Sequence, residues 1–308
     1  MTFKIQAETF LASIQNRRRN PARVATVKAY RSFLNVHILP LIGEKQLKDV
    51  ENGTLKGLVV ELTKAGLKPA SITSIVSVVK QVVGSAVDEN GNQLYPRKWN
   101  NDFLDLPVIK LAEQDAPIVP VKTLERALVR ANGQDKALYA LLAGTGLRVG
   151  EALALMVGPD DGKNSFWQPE AGLLTIRTTL TNGKIQDAPK TEAGVRLVDL
   201  DPQLNDFLLS HLETAPGLLF KSEKGGLVRT NTAYEHLEDA GIKEGFHSFR
   251  RFRITHLESV GVPPGLQRFW TGHAAEDVHQ NYIKFGEKIE ERKTWAIRAG
   301  LGFALEAK

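Results

Sequence analysis

The order of apolar and polar positions divides the chain into a helical first third and a longer, mixed remainder. Residues 7–15 predict a short helix, and residues 24–36 a second in which Val27, Tyr30, Arg31 and Leu34 share a face. Leu55, Leu58, Val59 and Leu62 recur at helical spacing ahead of Gly66, a residue suited to ending a helix. Residues 71–87 carry Ile72, Ile75, Val76, Val79, Val82, Val83 and Ala86. Their β-branched content would suit a strand, but the length of the run and Pro69 before it favour a helix with more than one buried face. Four such helices make a small bundle or a pair of helical hairpins.

The pattern changes between residues 90 and 120, where Asn90-Gly91, Asn100-Asn101, Pro96, Pro107, Pro117 and Pro120 signal turns and extended chain. The domain boundary is expected at residues 100–118, giving domains of 1–105 and 118–308. In the second domain, residues 124–130, 136–142 and 147–155 read as helices, with Gly144-Thr145-Gly146 interrupting them. Residues 173–180, a turn at Asn182-Gly183 and residues 195–200 predict a small antiparallel sheet. Helical spacing returns after Pro202, over 203–212, 230–240, 249–260 and 276–285. The expected fold class is mainly α: a helical N-terminal domain, then a mixed domain with a small antiparallel β-sheet.

Composition narrows the chemistry. The absence of cysteine excludes disulfides, thiolate catalysis and cysteine-based metal centres. Residues 1–110 hold 16 Lys and Arg against 9 Asp and Glu, a net of +7, while the remainder holds 24 against 26, a net of −2. A basic first third suits a polyanionic partner, and a solvated basic surface accounts for it equally well. Residues 1–10 lack the pattern of a secretion signal, and no run approaches the roughly 18 apolar residues of a membrane span. The expectation is a soluble cytoplasmic protein with no membrane partner. Without a Walker loop, an HExxH pair or clustered carboxylates, neither a cofactor nor a metal is expected. Asp160-Asp161 reads as loop charge, and Gly144, Gly146 and Gly150 as packing and turn positions.

Three separated segments concentrate side chains that bind and act on phosphate. In 145–153, Arg148 follows a glycine-containing turn at a helix start, where its planar fork can face a phosphate. Glu151, three positions on, can orient that arginine or cap the helix, and an ordinary surface arginine beside a capping glutamate is the alternative. In 247–253, His247 and Arg250 share a helical face, pairing an imidazole that can exchange a proton with a guanidinium that can hold phosphate. An amphipathic basic helix fits the same residues. In the third segment, Thr271-Gly272-His273 suits a tight turn, and Tyr282 follows nine positions after the histidine. Alone, a tyrosine there has packing as its default role.

Together these segments resemble the catalytic domain of the tyrosine recombinases, the phage integrase-like site-specific DNA recombinases. Residues 26–43 and 67–86 are similar to their core-binding domain in a generic way, and residues 118–285 to their catalytic domain in order, spacing and local sequence. The resemblance implies that Arg148 is the first arginine of the family's site and Glu151 its acidic support. It implies that Lys190, in Pro189-Lys190-Thr191, is the lysine of a mobile β-hairpin. His247 and Arg250 match the paired histidine and arginine, His273 the residue ahead of the nucleophile, and Tyr282 the nucleophile itself. Thr271 and His279 depart from the commonest pattern, in which leucine and threonine are frequent.

The implied reaction is attack of Tyr282 on a DNA phosphodiester, leaving a 3′-phosphotyrosyl link and a free 5′-hydroxyl. Arg148, Arg250 and His273 would neutralise the phosphate, Lys190 would protonate the leaving oxygen, and His247 would accept or relay the tyrosine proton. The implied partner is double-stranded DNA bearing specific sites, held by four protomers in a synapse. Arg17, Arg18, Arg19, Lys28 and Arg31 are the candidate DNA contacts of the first domain. Two other readings stay open: a type IB-like topoisomerase, and a catalytically silent DNA-binding protein on the same fold. The tail over 287–308, with Trp295, Ile297, Leu301, Phe303 and Leu305, either docks on a neighbouring protomer or folds back as an intramolecular cap.

Overall fold

The computed structural model describes residues 1–108, 116–131, 133–187, 195–272 and 285–305. Lys190, His273, Tyr282 and nearly all of the helix expected over 276–285 lie outside them. The chain forms two compact units, Met1–Asp115 and Ala116–Lys308, each with its own buried apolar cluster. Among the described residues no helix is long and apolar enough to cross a membrane.

The first unit is helical: α1 (Phe3–Gln15), α2 (Val24–Phe33), α3 (Leu39–Ile42), α4 (Asn52–Lys64), α5 (Pro69–Gly84) and α6 (Asn101–Leu104). Pro69 opens α5, and the helix buries Ile72, Ile75, Val76, Val78, Val79, Val82 and Val83. Burial on several faces explains why a β-branched run is helical here, since packing outweighs a propensity of a few tenths of a kcal/mol per residue. The helix expected over 24–36 ends at Phe33 and continues as a π-helical turn, Leu34–Ile38, in which the Leu39 N–H donates to Leu34 O. Pro40 explains the change, because it has no N–H to donate and its ring crowds the carbonyl four residues back.

The second unit is built around α8 (Gly133–Thr145), which follows α7 (Val121–Arg130) and is buried from Ala137 to Thr145. The helix expected over 147–155 is reduced to the single turn α9 (Val149–Ala152), and Leu155 opens a strand instead. The strands are β1 (Leu155–Val157), β2 (Ser165–Gln168), β3 (Leu173–Ile176), β4 (Thr178–Thr181), β5 (Lys184–Asp187), β6 (Arg196–Asp199) and β7 (Gly217–Leu218). Five form one sheet in the order β6-β3-β2-β1-β7, antiparallel except for the β1–β2 pair.

The strand expected over 173–180 is broken at Arg177, and the two halves serve different sheets. Ser165 Oγ accepts the N–H groups of both Arg177 and Thr178 at 2.8 Å, which diverts the backbone from the β3 ladder. Beyond the break, β4 pairs with β5 as a separate ribbon. Its turn is Asn182-Gly183, with φ of 52° and 73°, the two positive values that a tight primed hairpin turn requires.

The remaining helices are α10 (Pro202–His211), α11 (Thr230–Asp239), α12 (His247–Ser259), α13 (Pro264–Thr271) and α14 (Ile289–Ala299). The tail lies on its own chain. Arg292, on α14, grips the Asp199 carboxylate with Nε at 2.8 Å and Nη2 at 3.3 Å, both residues being buried. Arg253, on α12, donates to Gly300 O at 2.6 Å, and His256 bonds to Ala299 O at 2.8 Å. Phe303 packs edge-on against Phe252.

Candidate active site

Two of the three phosphate-binding segments converge in the second unit. The Gly146 turn, with φ of 71°, brings the chain out of α8 against the side chain of Arg253, where an added Cβ would come within 3.3 Å. Arg148 follows in extended conformation as the residue capping α9. Its backbone N–H donates to Glu151 Oε2 and its guanidinium to Oε1, each at 2.9 Å. Glu151 therefore does both things that its spacing allows: it closes the helix start and it orients the arginine. The Arg148 side chain is 40% exposed while that of Glu151 is 1% exposed, so the charge pair has one outward face.

Glu151 has a second cation that sequence reasoning did not assign to the site. Arg196, the first residue of β6, donates to Oε1 at 3.3 Å and Oε2 at 2.8 Å, and its Nε donates to Trp270 O at 2.8 Å. The signal was present in the register: Arg196 and Val198 lie on the same, buried side of β6, and an arginine at an inward position needs a buried partner. Burial alone would raise the Glu151 pKa. The charge and hydrogen bonds of Arg196, with those of Arg148, outweigh it and hold the carboxyl below its ordinary 4.5.

His247 and Arg250 arrive on the first turn of α12. Arg250 is 2% exposed and ties two segments together, Nη1 donating to Gly146 O at 2.9 Å and Nη2 to Thr271 O at 2.5 Å. Burial and the nearby Arg148 lower its pKa to about 10, which leaves it charged at neutral pH. His247 is exposed at the same end of the helix. Partial burial, then the charges of Arg251, Arg250 and Arg148, push its pKa below 6.5, so it is a neutral imidazole able to accept a proton at pH 7.

The third segment enters the site from α13. Thr271 is buried, and its hydroxyl returns to Gln267 O at 2.7 Å, so a threonine sits at this apolar position without an unpaired oxygen. Gly272 ends the helix at φ of 67°, and an added Cβ would lie 3.0 Å from the Arg196 guanidinium carbon. The structure thus assembles Arg148, Glu151, Arg250 and His247 around the turn that precedes residue 273, while Lys190, His273 and Tyr282 fall outside the described residues.

Other sequence-derived positions find structural partners. Asp160 clamps Arg177 with bonds of 2.6 and 3.0 Å, and Asp161 accepts the Lys163 and Asn164 N–H groups, so both carboxylates order the loop before β2. In the first unit, Arg17, Arg18 and Arg19 are exposed beyond α1, and Lys28 is exposed on α2. Arg31 donates to both oxygens of Glu8 at 3.2 Å, which offsets its charge locally.

The fold is that of the tyrosine recombinases, the family that the sequence and structural similarities support. No protein-family model matches the chain. Tyrosine recombinase XerA of Pyrococcus furiosus (strain ATCC 43587 / DSM 3638 / JCM 8422 / Vc1) is 24% identical over 269 residues, covering 85% of this chain and 84% of that protein. The Tn1549 transposon integrase, in complex with a circular intermediate DNA, superposes with a TM-score of 0.70 at 14% identity over 96% of this chain and 99% of that one. The lambda integrase dimer bound to a COC′ core site gives 0.63 at 14% identity over 95% of both chains. The lambda integrase tetramer bound to a Holliday junction gives 0.58 at 16% identity over 90% of this chain and 79% of that one.

Proposed function

We propose that the chain is a site-specific DNA recombinase that cleaves and rejoins duplex DNA through a covalent link between Tyr282 and a 3′-phosphate. The observation that carries this reading is the convergence of Arg148, held by Glu151, with Arg250 and His247 at the turn leading to His273. An exposed, oriented guanidinium beside a buried one and a neutral imidazole suits a phosphodiester gaining charge better than it suits a packing role.

In the proposed step, the Tyr282 oxygen forms a bond to phosphorus and the bond to the 5′ oxygen breaks. The phenol proton passes to His247, and Lys190 protonates the departing 5′ oxygen. A phenol that titrates near ~10 is a weak nucleophile at neutral pH, so surrounding positive charge from Arg148, Arg250 and His273 favours its ionised form. The phosphoester is conserved in the link, and a 5′-hydroxyl from a second duplex can reverse the step to give exchanged strands. The reaction needs neither a cofactor nor a metal.

The first unit, with its basic balance, is proposed as the core-binding half of a clamp around DNA, with Arg17, Arg18, Arg19 and Lys28 toward the phosphates. The proposed assembly is a tetramer on two sites, as in the lambda integrase complex with a Holliday junction, acting in the cytoplasm. Phosphate contacts do not encode sequence, so the site itself is to be found by recovering the genomic DNA around the gene.

The test is incubation with a nicked suicide substrate carrying that site, a denaturing gel and peptide mapping. A covalent adduct at Tyr282 that is absent from Tyr282→Phe supports the reading, and an adduct on another residue overturns it. Joining of the trapped end to a second duplex is expected of a recombinase.

A further inference from the structure

Arg196 plays no part in the step just described, yet it makes more bonds to the site's acid than Arg148 does through its side chain. It spans both oxygens of Glu151, donates to Trp270 O and lies under the Gly272 backbone, with its side chain 2% exposed. It therefore joins the segment that presents Arg148 to the segment that leads into His273. We propose that Arg196 is a positioning residue of the recombination site, fixing Glu151 by both carboxylate oxygens so that Arg148 is aimed, and fixing the Thr271–Gly272 turn relative to that pair.

The inference rests on the recombinase reading and adds to it the element that sets the geometry of the clamp. Arg148 meets each Glu151 oxygen with one bond, its guanidinium on Oε1 and its backbone N–H on Oε2, both from the same turn. Arg196 adds a second bond to each oxygen from the opposite side, so the carboxylate is braced by two elements rather than one. Three cations bear on Glu151: Arg148 from its own turn, Arg196 from β6 and Arg250 from α12. Removing Arg196 takes away the nearest fully buried one, so Glu151 becomes protonated at a higher pH and releases Arg148.

The test compares the wild-type protein, Arg148→Ala, Arg196→Met and Arg196→Lys on the suicide substrate from pH 6 to pH 9, with DNA affinity measured alongside. In Arg196→Met the adduct is expected to form ~100-fold more slowly at pH 6 and to recover to within ~10-fold of wild type at pH 9, at unchanged DNA affinity. Arg196→Lys, which keeps a charge but loses the fork, is expected to be intermediate with a wild-type pH profile. A wild-type rate in Arg196→Met, or a loss by the same factor at every pH, overturns the inference.

If Arg196→Met does not fold, Arg196→Lys decides the matter: full activity overturns the proposal and a partial loss with an unshifted profile supports it. If the wild-type protein forms no adduct at Tyr282, the recombinase reading fails separately. The inference is then decided by the carbon-13 titration of the Glu151 carboxyl, expected to move to higher pH in Arg196→Met. An unmoved titration overturns it.

Discussion

Gly150 is the point where α9 touches the β4–β5 ribbon, and its replacement by alanine separates a steric effect from a conformational one. An added Cβ would lie 2.6 Å from Leu180 O and 2.7 Å from Thr179 Oγ1, against 3.4 Å for an ordinary contact, so the ribbon must retreat by several tenths of an ångström. Overpacking of this kind costs about 1–3 kcal/mol. Alanine in place of glycine within a helical turn returns about 1 kcal/mol, which leaves Gly150→Ala between neutral and ~2 kcal/mol less stable. Gly57, inside α4, has nothing within 4 Å of its added Cβ, so Gly57→Ala isolates the helix term and is expected to stabilise by up to ~1 kcal/mol.

The two variants are compared by urea unfolding and by single-turnover cleavage of the suicide substrate. Lys190 follows β5 by three positions in the sequence, and a misplacement near 1 Å can cost ~100-fold in rate, so on the proposed role of Lys190 Gly150→Ala is expected to cleave roughly 10- to 100-fold more slowly at unchanged DNA affinity. Gly57→Ala is expected to cleave at the wild-type rate. If Gly150→Ala is stabilised as much as Gly57→Ala and cleaves normally, the ribbon is not seated on α9 and the reasoning is refuted.

Three further outcomes follow from the buried charges. Glu151→Ala leaves Arg196 with the Trp270 carbonyl as its one acceptor among the described residues, a loss of about 3–5 kcal/mol that scanning calorimetry reads as a fall on the order of 6–20 °C in the Tm of the second unit. The Glu151 pKa is depressed on folding, so its contribution is complete above the unfolded value near 4.5 and disappears as pH falls through the folded one. Glu151→Ala and wild type should accordingly converge in acid, and a gap that stays constant from pH 7 to pH 3 would contradict this. The folded protein holds His247 below 6.5, favouring the neutral ring, so the acid limb of cleavage attributable to His247 should lie below pH 6.5 and vanish in His247→Ala; a limb above pH 7 would exclude it as the proton acceptor. Arg292→Met leaves the buried Asp199 carboxylate with Trp270 Nε1 as its remaining hydrogen-bond donor among the described residues, and should cost about 3–5 kcal/mol in urea unfolding.

The legible parts of the fold were those decided by local pattern. The run from Ile72 to Val83 was long enough to show more than one buried face, and Asn182-Gly183 specified its turn through backbone geometry alone. The stretch from Leu153 to Leu155 was misread because it lies in a run, Ala152 to Val157, that is apolar at every position, and a run that short satisfies a helix and a strand equally. β1 has three residues, and β2 buries Ser165, Phe166 and Trp167 in succession, so neither displays an alternation to detect. Their identity as strands depends on partners elsewhere in the sequence. In the candidate site, the pairings Arg148 with Glu151 and His247 with Arg250 were legible because each pair sits three positions apart in the sequence. Arg196 was not, since its partner lies 45 residues away and only pairing in three dimensions brings them together.

The shortness of α9 also bears on when the site exists during the life of the chain. Four residues cannot sustain a helical turn in isolation, and this one is held by Arg196 from β6, while the adjoining Gly146 turn is held by Arg250 from α12. A nascent polypeptide that has emerged only as far as Leu153 contains the first arginine but none of the distant braces that aim it. That arrangement comes into being only after about a hundred more residues have been synthesised and folded back, and it is lost when β6 or α12 opens locally. An incomplete or frayed molecule still carries the basic first unit, but its Arg148 is no longer braced.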